Sequence, residues 1–197
     1  FLFIVRDVYK TPEFVAEQAS SMGIQKFHIV SLEKETRGQA ETVTLGIEAW
    51  RKETNTCEDD TMTIFNIDTF RPGFTFPSLD ELGDGYFEVF KGSGDNWSFA
   101  KPICTGSNLV GKTAEKKPIS DLCCTGLYYF RSLNEYLIAY YAYLDKPETW
   151  EKGELYVAPL YNYLIANGLK VHYHLIPRKD VIFCGVPDEY RDFLRNK

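Results

Sequence analysis

Five groups of residues in this 197-residue chain carry side chains suited to chemistry. The most specific is Gly106-Ser-Asn-Leu-Val-Gly111-Lys112-Thr113, which satisfies the G-x-x-x-x-G-K-[ST] pattern. In that pattern, glycine N–H groups wrap phosphates, the lysine reaches them, the hydroxyl holds Mg²⁺, and a following helix supplies its N-terminal dipole. Here Thr113-Ala-Glu-Lys-Lys-Pro118 leaves no room for a helix before the apolar run from Leu122. The segment is therefore expected to be a hairpin turn rather than a phosphate loop.

Asp68 follows the apolar run Thr61–Ile67, so a carboxylate stands at the end of a strand. Ligands bind outside the carboxyl ends of such strands, but a lone Asp there is more often a turn or helix-capping residue. His172 and His174 are two apart on a strand and share a face, but no third metal ligand is near. They read as surface or satisfied core histidines, and His28 stands alone. Glu53 with Glu58–Asp60 reads as a solvated charge run. The cysteines are Cys57, Cys104, Cys123, Cys124 and Cys184. An odd count without C-x-x-C fits neither a disulfide framework nor a zinc ribbon; reduced, buried thiols and a cytoplasmic location are expected. No G-x-S-x-G or H-E-x-x-H element occurs.

The elements that must position these groups follow from periodicity and punctuation. Phe1–Val5 is a continuous apolar strand. Thr11 is the expected cap of a helix with Pro12 in its first turn, an inner face of Val15, Ala19 and Met22, and Gly23 as its stop. Lys26–Leu32 is a second strand, Gln39–Arg51 a helix with Val43, Ile47 and Trp50 inward, and Thr61–Ile67 a third strand. This alternation predicts parallel βαβ units. Arg71–Gly85 reads as loop. Tyr86–Phe90 and Trp97–Lys101 flank a glycine turn, and Asn108–Gly111 and Leu122–Phe130 are further strands. Leu133–Leu144, rich in tyrosine, and Tyr156–Asn167 are helices, the first with its tyrosines inward. Leu169–Ile176 and Val181–Cys184 are strands, and Pro187–Arg195 is a terminal helix. The expected fold is a single Rossmann-like α/β domain over 1–197. It is a three-layer sandwich with a mixed, mainly parallel central sheet and a small antiparallel insertion.

Composition narrows the function. With 44% apolar and 25% charged residues the chain is an ordinary globular one. A net charge of −6 without a basic block argues against nucleic acid and anionic membranes as partners. No apolar run approaches the roughly 18–20 residues of a bilayer span.

Four segments in order then point to one family. They are Thr36-Arg-Gly-Gln-Ala-Glu-Thr42; Phe65-Asn-Ile-Asp68; Ala114-Glu-Lys-Lys-Pro-Ile-Ser-Asp121 running into Thr125-Gly-Leu-Tyr-Tyr-Phe130; and Gly153-Glu-Leu-Tyr-Val-Ala-Pro-Leu-Tyr-Asn162. With Phe183-Cys-Gly-Val-Pro-Asp-Glu-Tyr190, the series resembles the sugar-phosphate nucleotidylyltransferases (nucleoside-diphosphate-sugar pyrophosphorylases), particularly their capsule and surface-polysaccharide branch. The resemblance implies an enzyme that joins an NTP to a sugar phosphate or similar phosphorylated metabolite and releases pyrophosphate. It assigns Gly38, Gln39 and Ala40 to the nucleobase, Asp68 to Mg²⁺, Glu115 to the sugar, Lys116 to its phosphate, and Thr125 and Gly126 to the sugar's edge. A homo-oligomer is compatible with it.

Two departures from the family pattern stand out. The family's Gly-rich loop, which cradles the triphosphate, has no counterpart here. Phe1 is not a start residue, and Phe1–Arg6 resembles a later family strand, so a missing N-terminal strand and loop are expected. Without them the same fold would serve as a nucleotide-binding or interaction domain. A second Mg²⁺-ligating Asp, common in the family, falls near Pro159 here. A glycosyltransferase would need D-x-D, which Asn66-Ile-Asp68 meets only in part.

Overall fold

The structure is a computed structural model that describes residues 1–56 and 59–195; the readings of Cys57 and Glu58 lie outside the described residues. The protein is mixed α/β and divides into two compact units, Phe1–Glu58 with Pro147–Tyr156, and Asp59–Lys146 with Val157–Lys197. Among the described residues no helix is long and apolar enough to cross a membrane.

In the first unit, β1 (Leu2–Arg6) and β2 (His28–Leu32) pair in parallel with Ile4 opposite Val30, joined by helix α1 (Thr11–Ser21). This is the expected βαβ unit. The helix starts differently, however. Tyr9 and Lys10 adopt left-handed φ values of 56° and 62°, so Lys10 is the cap and Thr11 the first helical residue. The Thr11 hydroxyl turns back to the Val8 carbonyl. Gly23 ends the helix at φ 76°, as a left-handed stop should. Of the expected inner face Ala19 is buried and Met22 exposed. Helix α2 (Gln39–Thr54) buries Val43 and Ile47 and outlasts its expected end. It crosses β1 closely at Gly46, where a Cβ would strike the Ile4 side chain.

In the second unit the strands are β3 (Met62–Phe65), β4 (Thr69–Phe70), β5 (Gly85–Lys91), β6 (Ser98–Pro102), β7 (Val110–Glu115), β8 (Leu122–Phe130), β9 (Val171–Ile176) and β10 (Ile182–Phe183). The main sheet runs β7-β6-β8-β5-β9, with β3 also on β8. All nine residues of β8 are buried, as its unbroken apolar run requires. β5 and β9 are parallel, and the other pairs of this sheet are antiparallel. β3 thus departs from the expected parallel series: it lies antiparallel on β8, Phe65 opposite Leu127. The reason is geometric. β6 meets β8 at Cys123, which leaves the stretch from Leu127 to Phe130 for β3.

Helix α3 (Leu79–Leu82) lies inside the stretch expected to be loop, and is closed by a capping box between Ser78 and Glu81. Helices α4 (Leu133–Leu144), α5 (Tyr161–Ala166) and α6 (Pro187–Arg195) follow. α5 is shorter than expected because the chain first makes a 3₁₀ turn, Ala158–Leu160, at Pro159. The core centres on Phe130, whose ring stacks on Tyr161 at 4.5 Å and meets Tyr136 edge-on at 5.0 Å. Tyr136, Tyr140 and Tyr143 of α4 point inward, as expected, while Tyr141 is exposed.

Candidate functional site

The residues assigned to the nucleobase lie in the first unit, at the start of α2. Gly38 caps this helix with φ 136°, a conformation L side chains rarely adopt, and a Cβ there would stand 2.6 Å from the Leu155 carbonyl oxygen. Leu155 donates to the Arg37 carbonyl (2.7 Å) and accepts from the Ala40 N–H (2.9 Å). The Ala40 amide is therefore bound within the protein. Thr42 donates to the Gly38 carbonyl and shares a 2.6 Å hydroxyl contact with Thr36. The Arg37 guanidinium lies 5.4 Å from the Trp150 ring centre and hydrogen-bonds Glu41, holding that carboxyl below its usual range. The turn is tied to Leu155 at Arg37 and Ala40 and to Thr42 at the Gly38 carbonyl.

In the second unit, Asp68 follows β3 and precedes β4, and its side chain is exposed. β4 pairs with β10, and the Cys184 N–H donates to the Asp68 carbonyl at 2.8 Å. That brings Gly185 up behind the carboxylate: a Cβ on Gly185 would lie 3.0 Å from Asp68 Oδ2 and 3.9 Å from Glu189 Oε2. Glu189 accepts the N–H groups of Gly185 (3.0 Å) and Val186 (3.3 Å) at the start of α6. The late Gly-Val-Pro-Asp-Glu segment is thus the backing of Asp68.

β8 delivers Thr125 and Gly126. Opposite them β5 runs Phe87↔Tyr128 and then Val89↔Cys124, so three residues of β8 face Glu88 alone. Gly126 makes this bulge possible with φ 96°. Asn66, one residue beyond β3, fills the space over it: a Cβ on Gly126 would be 2.5 Å from Asn66 Nδ2. Thr125 is buried beneath. Asp68, Gly126 and Gly185 are drawn to one locality by Asn66 and the β4–β10 ladder.

Glu115 ends β7 and is buried; its carboxylate accepts from the Ser98 hydroxyl on β6, the residue directly opposite. Lys116 takes a left-handed φ of 51°, and its N–H donates to the Trp97 carbonyl at 2.9 Å. A non-glycine residue in that region stores strain, commonly at functional positions.

The remaining candidates separate from this group. Gly106–Thr113 is the turn and second strand of the β6–β7 hairpin, with Lys112 paired opposite Lys101. The Thr113 hydroxyl donates to the Ala158 carbonyl and its N–H to Asn162 Oδ1. Neither group is available to a phosphate, and a strand stands where a phosphate loop needs a helix. His172 is partly buried with Nδ1 lacking a partner among the described residues, and burial lowers its pKa. His28 pairs with Glu53 at 2.7 Å. Cys123 and Cys124 are buried thiols; burial raises Cys123 to about 11 and raises Cys124 strongly, whereas Cys104 is exposed and Cys184 half-buried. The Pro159 side chain offers no ligand atom for a metal. Among the described residues no group of three His, Cys, Asp or Glu side chains is set to hold an ion.

Sequence reasoning quoted Asn66 and Glu189 only within motifs and missed their roles, and it missed Ser98. Only Glu189 had a signal, three residues after a capping position that Pro187 marks.

No protein-family model matches the chain, and no curated protein matches it. Solved structures do. The chain aligns over 99% of its length with the nucleoside-diphosphate-sugar pyrophosphorylase from Vibrio cholerae RC9, at 60% identity and a TM-score of 0.94, covering 80% of that chain. It is also similar to the inositol-1-phosphate CTP transferase from T. maritima (13% identity, TM-score 0.62, 95% of this chain and 71% of that one). A UDP-glucose pyrophosphorylase complexed with UDP-glucose gives 13% identity and a TM-score of 0.66, over 95% of this chain and 74% of that one. At 13% identity these last two show the shared fold alone.

Proposed function

The chain belongs to the nucleoside-diphosphate-sugar pyrophosphorylase family, and from that premise we propose how its residues serve nucleotidyl transfer. A phosphate oxygen of the sugar phosphate attacks the α-phosphorus of an NTP. The new P–O bond forms as the bond from the α-phosphorus to the bridging oxygen breaks, and pyrophosphate leaves with that electron pair. No group on the protein need act as acid or base; alignment and charge stabilisation supply the catalysis.

The observation that carries the reading is the convergence at Asp68. Its exposed carboxylate is backed by Gly185, and its strand is followed closely by the β8 bulge at Gly126, through Asn66. Mg²⁺ fits this donor set, because that ion is held by one or two carboxylates with substrate phosphates and water completing its shell. Asp68 would hold it, and bound there it would screen the phosphate charges. Glu189 is already engaged with two backbone N–H groups.

Lys116 is the cation assigned to the sugar's phosphate and Glu115 the carboxylate assigned to its hydroxyls, with Thr125 and Gly126 offering backbone at the bulge. In the first unit, the Gly38–Ala40 turn takes the base, with the Ala40 N–H already bonded to the Leu155 carbonyl. The segments that resemble the surface-polysaccharide branch support a product used in polysaccharide synthesis. Two buried thiols suit a reducing, cytoplasmic setting.

The test is a pyrophosphate-release panel of the four common NTPs against a set of sugar 1-phosphates, run with Mg²⁺ on the full-length protein. Release that requires both substrates is expected. Absence of release from every pair overturns the reading.

A further inference from the structure

Two consecutive residues, Trp97 just before β6 and Ser98 at its start, hold the two consecutive residues assigned to the sugar phosphate. The Trp97 carbonyl accepts the Lys116 N–H at 2.9 Å, and the Ser98 hydroxyl donates to Glu115 Oε2. Ser98 itself accepts from the Tyr128 hydroxyl at 3.4 Å. Tyr128 sits on β8, and burial, reinforced by Cys124 and Glu115, pushes its phenol far above the ordinary value. It therefore stays a donor. The order Tyr128 O–H, Ser98 O–H, Glu115 carboxylate has one direction, since a serine hydroxyl that receives a hydrogen bond directs its own proton onward.

The neighbours are fixed as well. Glu115 lies directly opposite Ser98 in the β6–β7 ladder, and Trp97 is wedged against Phe90 and Phe183 with ring centres 5.0 Å from each. Trp97 is thus held by packed aromatic rings and Ser98 by its strand pairing. One carboxylate oxygen is thus oriented by a bond that exists before substrate arrives, which is how a binding group avoids the entropy of being ordered on contact.

We propose that Ser98, supported by Tyr128, is a positioning residue for the sugar-phosphate substrate: it sets the rotamer of Glu115, and so governs affinity for the sugar without touching the nucleotide. This rests on the reading that Glu115 meets the sugar. The binding partner it implies is a polyhydroxylated phosphate ester, whose hydroxyl groups can donate to the carboxylate.

The experiment uses the full-length protein, glucose 1-phosphate as the probe, and the NTP that supports fastest pyrophosphate release. Ser98→Ala is expected to raise the KM for glucose 1-phosphate on the order of tenfold, the effect of one charge-assisted hydrogen bond. The KM for the NTP stays within about twofold, because a positioning role is confined to one substrate. Ser98→Thr, which keeps the hydroxyl, restores the wild-type value, and Tyr128→Phe shows a smaller change of the same kind. A rise in both KM values together, or no change in either, overturns the proposal. If Ser98→Ala fails to fold, Tyr128→Phe decides by the same criteria. A crystal structure of Ser98→Ala supplies a readout that needs no turnover: Glu115 displaced from its wild-type rotamer supports the proposal, and Glu115 unmoved overturns it. Absence of pyrophosphate release from the wild-type protein instead refutes the functional reading, and the crystal structure still decides the role of Ser98.

Discussion

Asn66 occupies the volume that any side chain at position 126 would need: a Cβ on Gly126 would stand 2.5 Å from Asn66 Nδ2 and 2.7 Å from its Cγ. The glycine is required twice, once for its φ of 96° and once for this approach. Gly126→Ala is expected to destabilise the fold by about 1–3 kcal/mol, from left-handed strain and the clash together. Adding Asn66→Ala relieves only the clash, so a double-mutant cycle by urea denaturation should return part of the loss. Strict additivity would contradict the contact.

Arg71 and Glu88 form a two-pronged ion pair, Nε and Nη2 to the two carboxylate oxygens at 2.6 and 2.9 Å, with 11% and 3% of their side chains exposed. Arg71 also donates to the Asp180 carbonyl at 2.7 Å, tying the segment after Asp68 to the turn before β10. The bond to Glu88 raises the arginine's pKa, so the guanidinium stays charged. Glu88→Gln leaves that cation without its counter-charge, and a loss of about 3–5 kcal/mol in urea denaturation is expected. A loss under about 1 kcal/mol, the worth of an exposed pair, would contradict burial of the pair.

His172 sets a pH dependence. Burial, followed by Lys170, lowers its pKa below the ordinary 6.5, with Asp84 opposing. The folded state therefore binds this proton less readily than the unfolded chain, so stability rises with pH across the interval. This contribution is full above about pH 6.5 and declines as pH falls through the lowered folded value. Melting temperatures at pH 7.5 and 5.5 should differ less in His172→Gln than in wild type. An equal difference would exclude His172 as the source.

The two lysines of the sequence motifs are separable. Lys112 lies opposite Lys101 in a hairpin, and Lys112→Ala is expected to leave kcat/KM within about twofold, as for a surface change away from the site. Lys116→Ala should lower it by roughly 10²–10³, the scale for removing one group that stabilises transition-state charge. The reverse ranking would return the Gly106–Thr113 segment to the phosphates.

Much of this was legible from local signals. Unbroken apolar runs located β1 and β8, Gly23 ended α1 and Pro187 began α6, because these are properties of a few adjacent residues. Pro118 was enough to reject a phosphate loop at Lys112. Strand direction was not legible: the apolar pattern of Met62–Phe65 is the same read either way, and only the pairing with β8 reveals that the two run antiparallel. The role of Gly185 was equally hidden, since it depends on a two-residue ladder between segments more than a hundred positions apart. Asn66 and Ser98 lacked a signal for the same reason: each acts on a residue distant in sequence. Family resemblance found Glu115 and Lys116, while their setting by Trp97 and Ser98 required coordinates.

The central claim is that the α–β bond of the nucleotide is the one broken. It is tested most directly by ³¹P NMR of the full-length protein with NTP, sugar 1-phosphate and Mg²⁺, beside Asp68→Asn. Nucleotidyl transfer predicts paired resonances of a nucleoside diphosphate sugar growing in equal amount with pyrophosphate, and their loss in Asp68→Asn. Inorganic phosphate and free NDP, or a product spectrum unchanged in Asp68→Asn, would contradict it.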